Sequence, residues 1–250
     1  MSDNPILLEA RALSKRFGSL AAVRDVSIAF LQGEVHAIIG PNGAGKTTFL
    51  NLVSGELPAT SGALYFNGED VTGWTADRLA RGGLGRSFQH SSVFENLSVH
   101  ENVRLAAQTQ FPQAFGLFLP AERYAGVNRR VDEVLLDMAL AASTAARAGE
   151  ISHGEQRQLE IAMLLAISPK VMLLDEPTSG MSRNETLAMI EVLRRVSRQR
   201  TLVLVEHDME VVFELADRIT VLVNGAVLAS GAPDKVREDA AVRAAYLGPE

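Results

Sequence analysis

Three short runs in this chain carry residue types suited to phosphate chemistry. The first is GPNGAGKTT at 40–48, with the spacing G-x-x-x-x-G-K-[ST] and with Gly40, Gly45, Lys46 and Thr47 in the fixed places. Successive backbone N–H groups can wrap a phosphate only where side chains leave room, and the glycines leave it. Lys46 supplies a mobile positive charge for β- and γ-phosphates, and the Thr47 hydroxyl can ligate Mg2+. The second run, VMLLDEP at 171–177, carries Asp175 and Glu176 out of the end of an apolar stretch. Beside a phosphate loop, Asp175 is suited to hold Mg2+ directly or through water, and Glu176 to take a proton from an attacking water. The third, LVLVEHD, ends an apolar stretch in His207. That histidine either terminates a strand at solvent or, beside a phosphate site, contacts the γ-phosphate or orients the base.

Two further stretches are weaker signals. Gln89 closes GRSFQ and can feel Mg2+ or the attacking water only if its loop reaches the site. Phe17, in KRFG, either stacks on a purine or belongs to the core, as strand aromatics more often do. A separate string, ISHGEQRQLEIAMLL at 151–165, opens with Ser152 and Glu155 in the S-x-x-E spacing of a capping box.

Elements must hold these residues in place. Residues 6–12, 23–30 and 34–39 read as strands, and 46–54 as a helix stopped by Gly55. A strand at 63–68, a loop through EDVTGW, a short helix at 75–81 and a strand edge at 85–89 follow. From 98 the pattern turns helical, with Ser98 and Glu101 spaced as a second capping box and a helix over 128–140. Helix 155–167 leads into strand 171–177, which is apolar enough for a buried parallel sheet. Helix 183–198, strand 201–207, helix 209–216, a hairpin over 218–231 turning at Asn224-Gly225, and a terminal helix over 233–246 complete the chain. Alternating strands and helices around a parallel core predict an α/β fold. Residues 98–167 interrupt that alternation, so the expected organisation is a core of 1–97 and 168–250 with a helical subdomain inserted at 98–167.

The 250 residues suffice for one α/β domain with a satellite, and 47% apolar with 22% charged residues is an ordinary soluble composition. A net charge of -6 with no basic block argues against nucleic acid as the main partner. No cysteine is present, which excludes disulfides and thiolate metal sites. The N-terminal run does not read as a signal peptide, and the apolar stretch at 161–174 is split by Ser168, Pro169 and Lys170, short of the roughly 20 residues a membrane helix needs.

The order phosphate loop, glutamine, ISHGEQ, VMLLDEP, histidine resembles the nucleotide-binding subunits of ABC transporters. The resemblance spans almost the whole chain. It implies a P-loop NTPase core of the ABC ATPase type with an antiparallel β subdomain and the inserted helical subdomain. It also implies ATP hydrolysis with Mg2+. By it, Gly40–Thr48, including Asn42, Gly43 and Thr48, looks like Walker A, Phe17 the adenine-stacking aromatic and Gln89 the Q-loop glutamine. Asp175 looks like the Walker B aspartate, Glu176 the catalytic glutamate and His207 the switch histidine. The family works as dimers that sandwich two ATP molecules, so Ser152 and Gly154 would touch the γ-phosphate held by the partner.

There are departures. ISHGE stands where LSGGQ is usual, so Glu155 adds negative charge near that phosphate, and Ser182 stands where an aspartate is common. Strings such as SHGEQRQLEIAMLLAISPKVMLLDEPTSGM and the closing AYLG look like the LivG branch, the ATPases of bacterial branched-chain amino acid importers. Urea, short-amide and other small organic solute importers use similar ATPases, and ABC-type ATPases also serve as mechanical proteins without a membrane partner. The implied partners are membrane permease subunits, a second ATPase subunit, identical or homologous, and indirectly a solute-binding protein. The implied location is the cytoplasmic face of the bacterial inner membrane. Phe94 and Leu97, with Phe111, Phe115, Leu117, Phe118 and Leu119, either meet the permease or pack the subdomain.

Overall fold

The computed structural model describes residues 4–87, 93–111 and 124–247. They divide into two compact units, one of Met1–Arg86, Lys170–Glu176 and Ser197–Glu250, the other of Ser87–Pro169 and Pro177–Val196. The insert expected from the sequence ends at 167, whereas the second unit also takes in 177–196.

The first unit holds both sheets. A hairpin of β1 (Ile6–Phe17) and β2 (Leu20–Leu31) joins β4 (Ser61–Phe66) and β5 (Glu69–Asp70) in an antiparallel sheet of order β2-β1-β4-β5. The second sheet adds β3 (Val35–Ile39), β6 (Leu84–Arg86), β7 (Val171–Asp175), β8 (Thr201–Val205), β9 (Arg218–Val223) and β10 (Ala226–Gly231). Its order is β10-β9-β3-β8-β7-β6, parallel throughout except for β10. β3, β7 and β8 are buried at every residue, as continuous apolar runs covered on both faces should be. Ile38 points into a core shared with Phe30, Phe49, Leu50 and Val203, while its neighbours Ala37 and Ile39 meet Val212, Val221 and Val236 on the other face.

Several boundaries differ from expectation for identifiable reasons. β1 runs on to Phe17 instead of ending at 12, because Ala12 takes a left-handed φ of 50° at a bulge where its N–H meets Ser27 Oγ at 2.8 Å. The strand expected over 63–68 ends at Phe66, since Asn67 and Gly68 both take positive φ and form the hairpin turn into β5. The terminal helix is two helices, α8 (Pro233–Glu238) and α9 (Ala240–Leu247). Asp239 between them is extended, and its Oδ1 accepts the N–H groups of Ala241 and Val242 at 2.8 and 3.2 Å, starting a new helix. The remaining helices of this unit are α1 (Lys46–Val53), α2 (Ala76–Gly82) and α7 (Met209–Leu215).

The second unit is helical. α3 (Val99–Gln108), α4 (Ala125–Asp137) and α5 (His153–Ala166) pack against one another, with Val103, Val131, Val134 and Leu159 fully buried. α6 (Arg183–Ser197) carries its own buried stripe of Met189, Ile190 and Leu193. The Arg130 guanidinium donates to the carbonyls of Leu165 and Ala166, answering the open C-terminal end of α5. Asn102, fully buried, accepts the Phe94 N–H at 2.7 Å and donates to the Phe94 and Ser98 carbonyls. It thereby fixes a turn that leaves Phe94 exposed. Phe111 is half-buried, its ring lying close enough to Gly126 that a side chain there would stand 2.8 Å from it. Phe115, Leu117, Phe118 and Leu119 lie outside the described residues.

Candidate functional site

The phosphate loop leaves β3 at Gly40 and enters α1 at Lys46. Gly43 and Gly45 take φ of 77° and 96°, a region an L side chain rarely occupies. Gly40 and Gly45 also have no room for a Cβ, which would strike the carbonyls of Leu222 and Ala22 respectively. The loop is braced by the β9–β10 turn, since Gly225 N–H donates to Ala44 O at 3.0 Å and Gly225 O accepts the Arg24 N–H at 2.7 Å. Lys46 is buried, and its ammonium donates to the carbonyls of Gly40 and Pro41 at 2.7 and 3.2 Å. Burial pushes its pKa down, opposed by the nearby charges of Glu176 and Asp175.

These residues border a cleft of about 770 Å3 in the first unit, lined by Phe17, Leu20, Asn42, Thr47, Thr48 and Glu176 among others. Phe17 is 49% exposed and so is not a core aromatic. Lys15 Nζ lies 5.2 Å from the centroid of its ring.

β7 delivers the two carboxylates. Asp175 is its last residue and only 1% exposed. Burial raises its pKa, opposed first by Arg86, whose Nη2 stands 3.7 Å from Asp175 Oδ2. Arg86 also donates from Nη1 to Ser54 Oγ at 2.7 Å, and Ser54 caps the C-terminal end of α1. One buried guanidinium thus ties the strand of the acidic pair to the helix of the phosphate loop. Glu176 follows with a left-handed φ of 48°, its N–H bonded to Val205 O at 2.8 Å. That conformation leaves its carboxylate on the cleft, 3.6 Å from His207 Nδ1. His207 is exposed, at the end of the segment that follows β8, and its N–H donates to the fully buried Glu206 at 3.2 Å. Gln89 lies outside the described residues.

In the second unit, Ser152 caps α5, which begins at His153, so Gly154 sits in its first turn. The capping box is complete, because Ser152 Oγ accepts the Glu155 N–H at 3.2 Å and Glu155 Oε2 accepts the Ser152 N–H at 3.1 Å. Glu155 Oε1 also takes the Ser143 hydroxyl at 2.5 Å. The carboxylate expected to burden a phosphate is therefore tied into its own subunit, and the Ser143 hydrogen bond holds its pKa below the usual carboxylate range. The Gly154 N–H donates to Glu185 Oε1 at 3.1 Å.

The structure brings Phe17, Lys46, Thr47 and Glu176 to one cleft, with His207 beside Glu176. It brings Ser152, Gly154 and Glu155 to one helix start. Arg86 and Glu185 were not singled out from the sequence. The signals were present: an arginine just inside GRSFQ, and a third S-x-x-E spacing at Ser182–Glu185.

Comparison with known proteins then bears on the whole chain. The family model for ABC transporters matches residues 23–179, and that for the branched-chain amino acid ATP-binding cassette transporter matches residues 226–248. The chain is 35% identical over 251 aligned residues to the high-affinity branched-chain amino acid transport ATP-binding protein BraF of Pseudomonas aeruginosa, covering 97% of this chain and 98% of that protein. It is 34% identical to LivG of Escherichia coli K12, a protein of the same description, at the same coverage. Among solved structures it resembles the ADP conformation of MJ1267, an ATP-binding cassette of an ABC transporter. The TM-score is 0.83 and the identity 28%, over 98% of this chain and all of that one.

Proposed function

The chain belongs to the ABC transporter family, and on that premise we propose that it is the ATP-hydrolysing subunit of a bacterial importer for branched-chain amino acids. It is an ATPase of α/β P-loop architecture that binds a nucleotide. The observation that carries the cargo is the match at 226–248 to the branched-chain cassette, alongside full-length similarity to BraF.

In this reading Asn42, Gly43, Gly45, Lys46, Thr47 and Thr48 hold the phosphates, and Phe17 stacks on adenine. Their common border on one cleft supports this. Thr47 and Asp175 hold Mg2+, with Gln89 as a further ligand. The donor set fits, since Thr47 and Asp175 would offer a hydroxyl and a buried carboxylate, hard oxygens of the kind Mg2+ prefers. Bound there, Mg2+ offsets the charge that builds on the γ-phosphate oxygens. Glu176 accepts a proton from water as the water oxygen attacks the γ-phosphorus and the bond to the ADP oxygen breaks. His207, 3.6 Å from Glu176, orients the base and contacts the γ-phosphate.

Ser152, Gly154 and Glu155 form the edge that meets the nucleotide of a second ATPase subunit, identical or homologous. Residues 98–167 serve as the helical signature subdomain, and 1–97 with 168–250 as the nucleotide-binding core. Exposed Phe94, on the turn fixed by Asn102, supports contact with a membrane permease subunit. None of the described helices is long and apolar enough to cross a membrane. In this reading the subunit acts at the cytoplasmic face of the inner membrane, with a solute-binding protein delivering cargo to the permease. The test is reconstitution with candidate permease and solute-binding subunits of a branched-chain amino acid importer. ATP turnover should rise on adding leucine, isoleucine or valine. Stimulation by urea or a short amide instead would reassign the cargo.

A further inference from the structure

The first N–H groups of a helix have no partners within it and must find them elsewhere. In α5 the Glu155 N–H finds Ser152 Oγ, whereas the Gly154 N–H finds a carboxylate 31 residues along the chain, Glu185 Oε1 at 3.1 Å. The other oxygen of that carboxylate is also engaged. Glu185 Oε2 accepts the Ser182 N–H at 2.9 Å and the Ser182 hydroxyl at 2.7 Å, while Ser182 Oγ accepts the Glu185 N–H at 3.4 Å. Glu185 therefore closes a capping box on α6 with one oxygen and holds the start of α5 with the other. Gly154 permits this, because a Cβ there would stand 2.6 Å from Oε1. Next to it, a side chain at Gly180 would stand 3.4 Å from the His153 ring, so the two segments touch at a second point. The Ser182 hydroxyl, then the Ser182 and Gly154 amides, hold the Glu185 carboxyl below the usual range, so it is ionised at neutral pH.

We propose that Glu185 is a positioning residue that occupies the Gly154 amide in the separate subunit and releases it to the γ-phosphate of the partner's ATP when two subunits close. This rests on the reading that Ser152 and Gly154 face that phosphate. One N–H cannot serve two anions at full strength, and a carboxylate left beside a phosphate repels it. Release does not undo α6, since Oε2 keeps both Ser182 bonds while Oε1 turns away. Glu185 thus raises the ATP concentration needed for closure, and it reclaims the amide when hydrolysis removes the γ-phosphate.

The test is an ATP-Mg2+ titration of dimer formation by light scattering. It uses the full chain, alone and with the transporter's second ATPase, in a Glu176→Gln background that blocks turnover. Glu185→Gln keeps the shape and removes the charge, and it should lower the half-point about threefold to fivefold. Ser182→Ala weakens the α6 cap but leaves the Glu185 charge, so it should lower the melting temperature without lowering the half-point. A half-point that is unchanged or raised by Glu185→Gln, or lowered equally by Ser182→Ala, overturns the proposal, because a purely structural cap would behave so. If the Glu176→Gln parent binds ATP yet pairs with neither partner, the phosphate-facing reading of α5 fails before Glu185 is altered, and this inference falls with it.

Discussion

The starts of α1 and α5 are both suited to phosphate, yet they are built in opposite ways. At α1 the cap residue is Gly45, with no side-chain cap hydrogen bond, and the loop before it is shaped by glycines in left-handed conformations. Its one charged side chain, Lys46, rests on two carbonyls of the same loop. At α5 the cap is Ser152 in a full capping box, and the Gly154 amide is held by Glu185. The first site offers its backbone to a ligand, and only Lys46 among its charged side chains is already held by the loop. The second is already satisfied by two carboxylates of its own chain. On the proposed reading, affinity for nucleotide belongs to α1, and the threshold for pairing belongs to α5.

The comparison can be broken most sharply at the base. Glu176→Gln should cut single-turnover hydrolysis by about 100-fold to 10,000-fold while ATP binding persists, measured by rapid quench and a fluorescent nucleotide. Normal turnover in that variant would remove Glu176 from its role. Acid should separate the two units next. Burial, with help from the Arg218 charge, pushes His36 down to about 3 from an ordinary 6.5. The Glu34 carboxylate 3.7 Å away consequently faces a neutral ring. The unfolded chain takes up that proton near pH 6.5 and the folded chain only near 3, so stability is full above 6.5 and declines as pH falls. The first unit should lose about 3 kcal/mol between pH 7 and pH 4, and His36→Asn should remove that loss. Glu155 and Glu185 in the second unit have pKa values lowered from 4.5, so their contribution is present above 4.5 and is lost only below it. Hydrogen exchange resolved by segment would read both windows, and a second unit that loosens first would reverse the expectation.

Lys46→Ala should weaken ATP binding by about thirtyfold to a hundredfold, the loss of a charge-assisted contact, by isothermal titration. It should leave the melting temperature of the second unit unchanged. Phe17→Ala should have the smallest effect, about twofold to tenfold weaker binding, with adenine and guanine nucleotides less well distinguished. Equal binding by the two proteins would return Phe17 to the role of an exposed strand residue.

The sequence is most legible where the physics is local. The phosphate loop, the apolar strands β3, β7 and β8, and the Asn224-Gly225 turn each rest on neighbours in the chain, and each lies where expected. Ser152 and Glu155 likewise form the capping box their spacing predicts. What stayed hidden depends on approach between distant residues. The charge of Glu155 predicts repulsion of a phosphate, but Ser143, 12 residues earlier, donates its hydroxyl to Oε1. The Gly154–Glu185 and Arg86–Ser54 contacts span 31 and 32 residues, and no period in the sequence encodes them. The break at Asp239 lies between these cases. Its capping signature was present, but the apolar pattern runs through it.

Glu176 carries one more consequence. Its φ of 48° is a conformation in which a β-carbon crowds the following carbonyl, at roughly 1–2 kcal/mol for a non-glycine residue. Evolution of this strand end for thermal robustness alone would favour glycine or asparagine there. If Glu176 is the base proposed here, a heat-tolerant survivor of random mutagenesis would tend to be a silent one, sturdier than its parent and unable to spend its ATP.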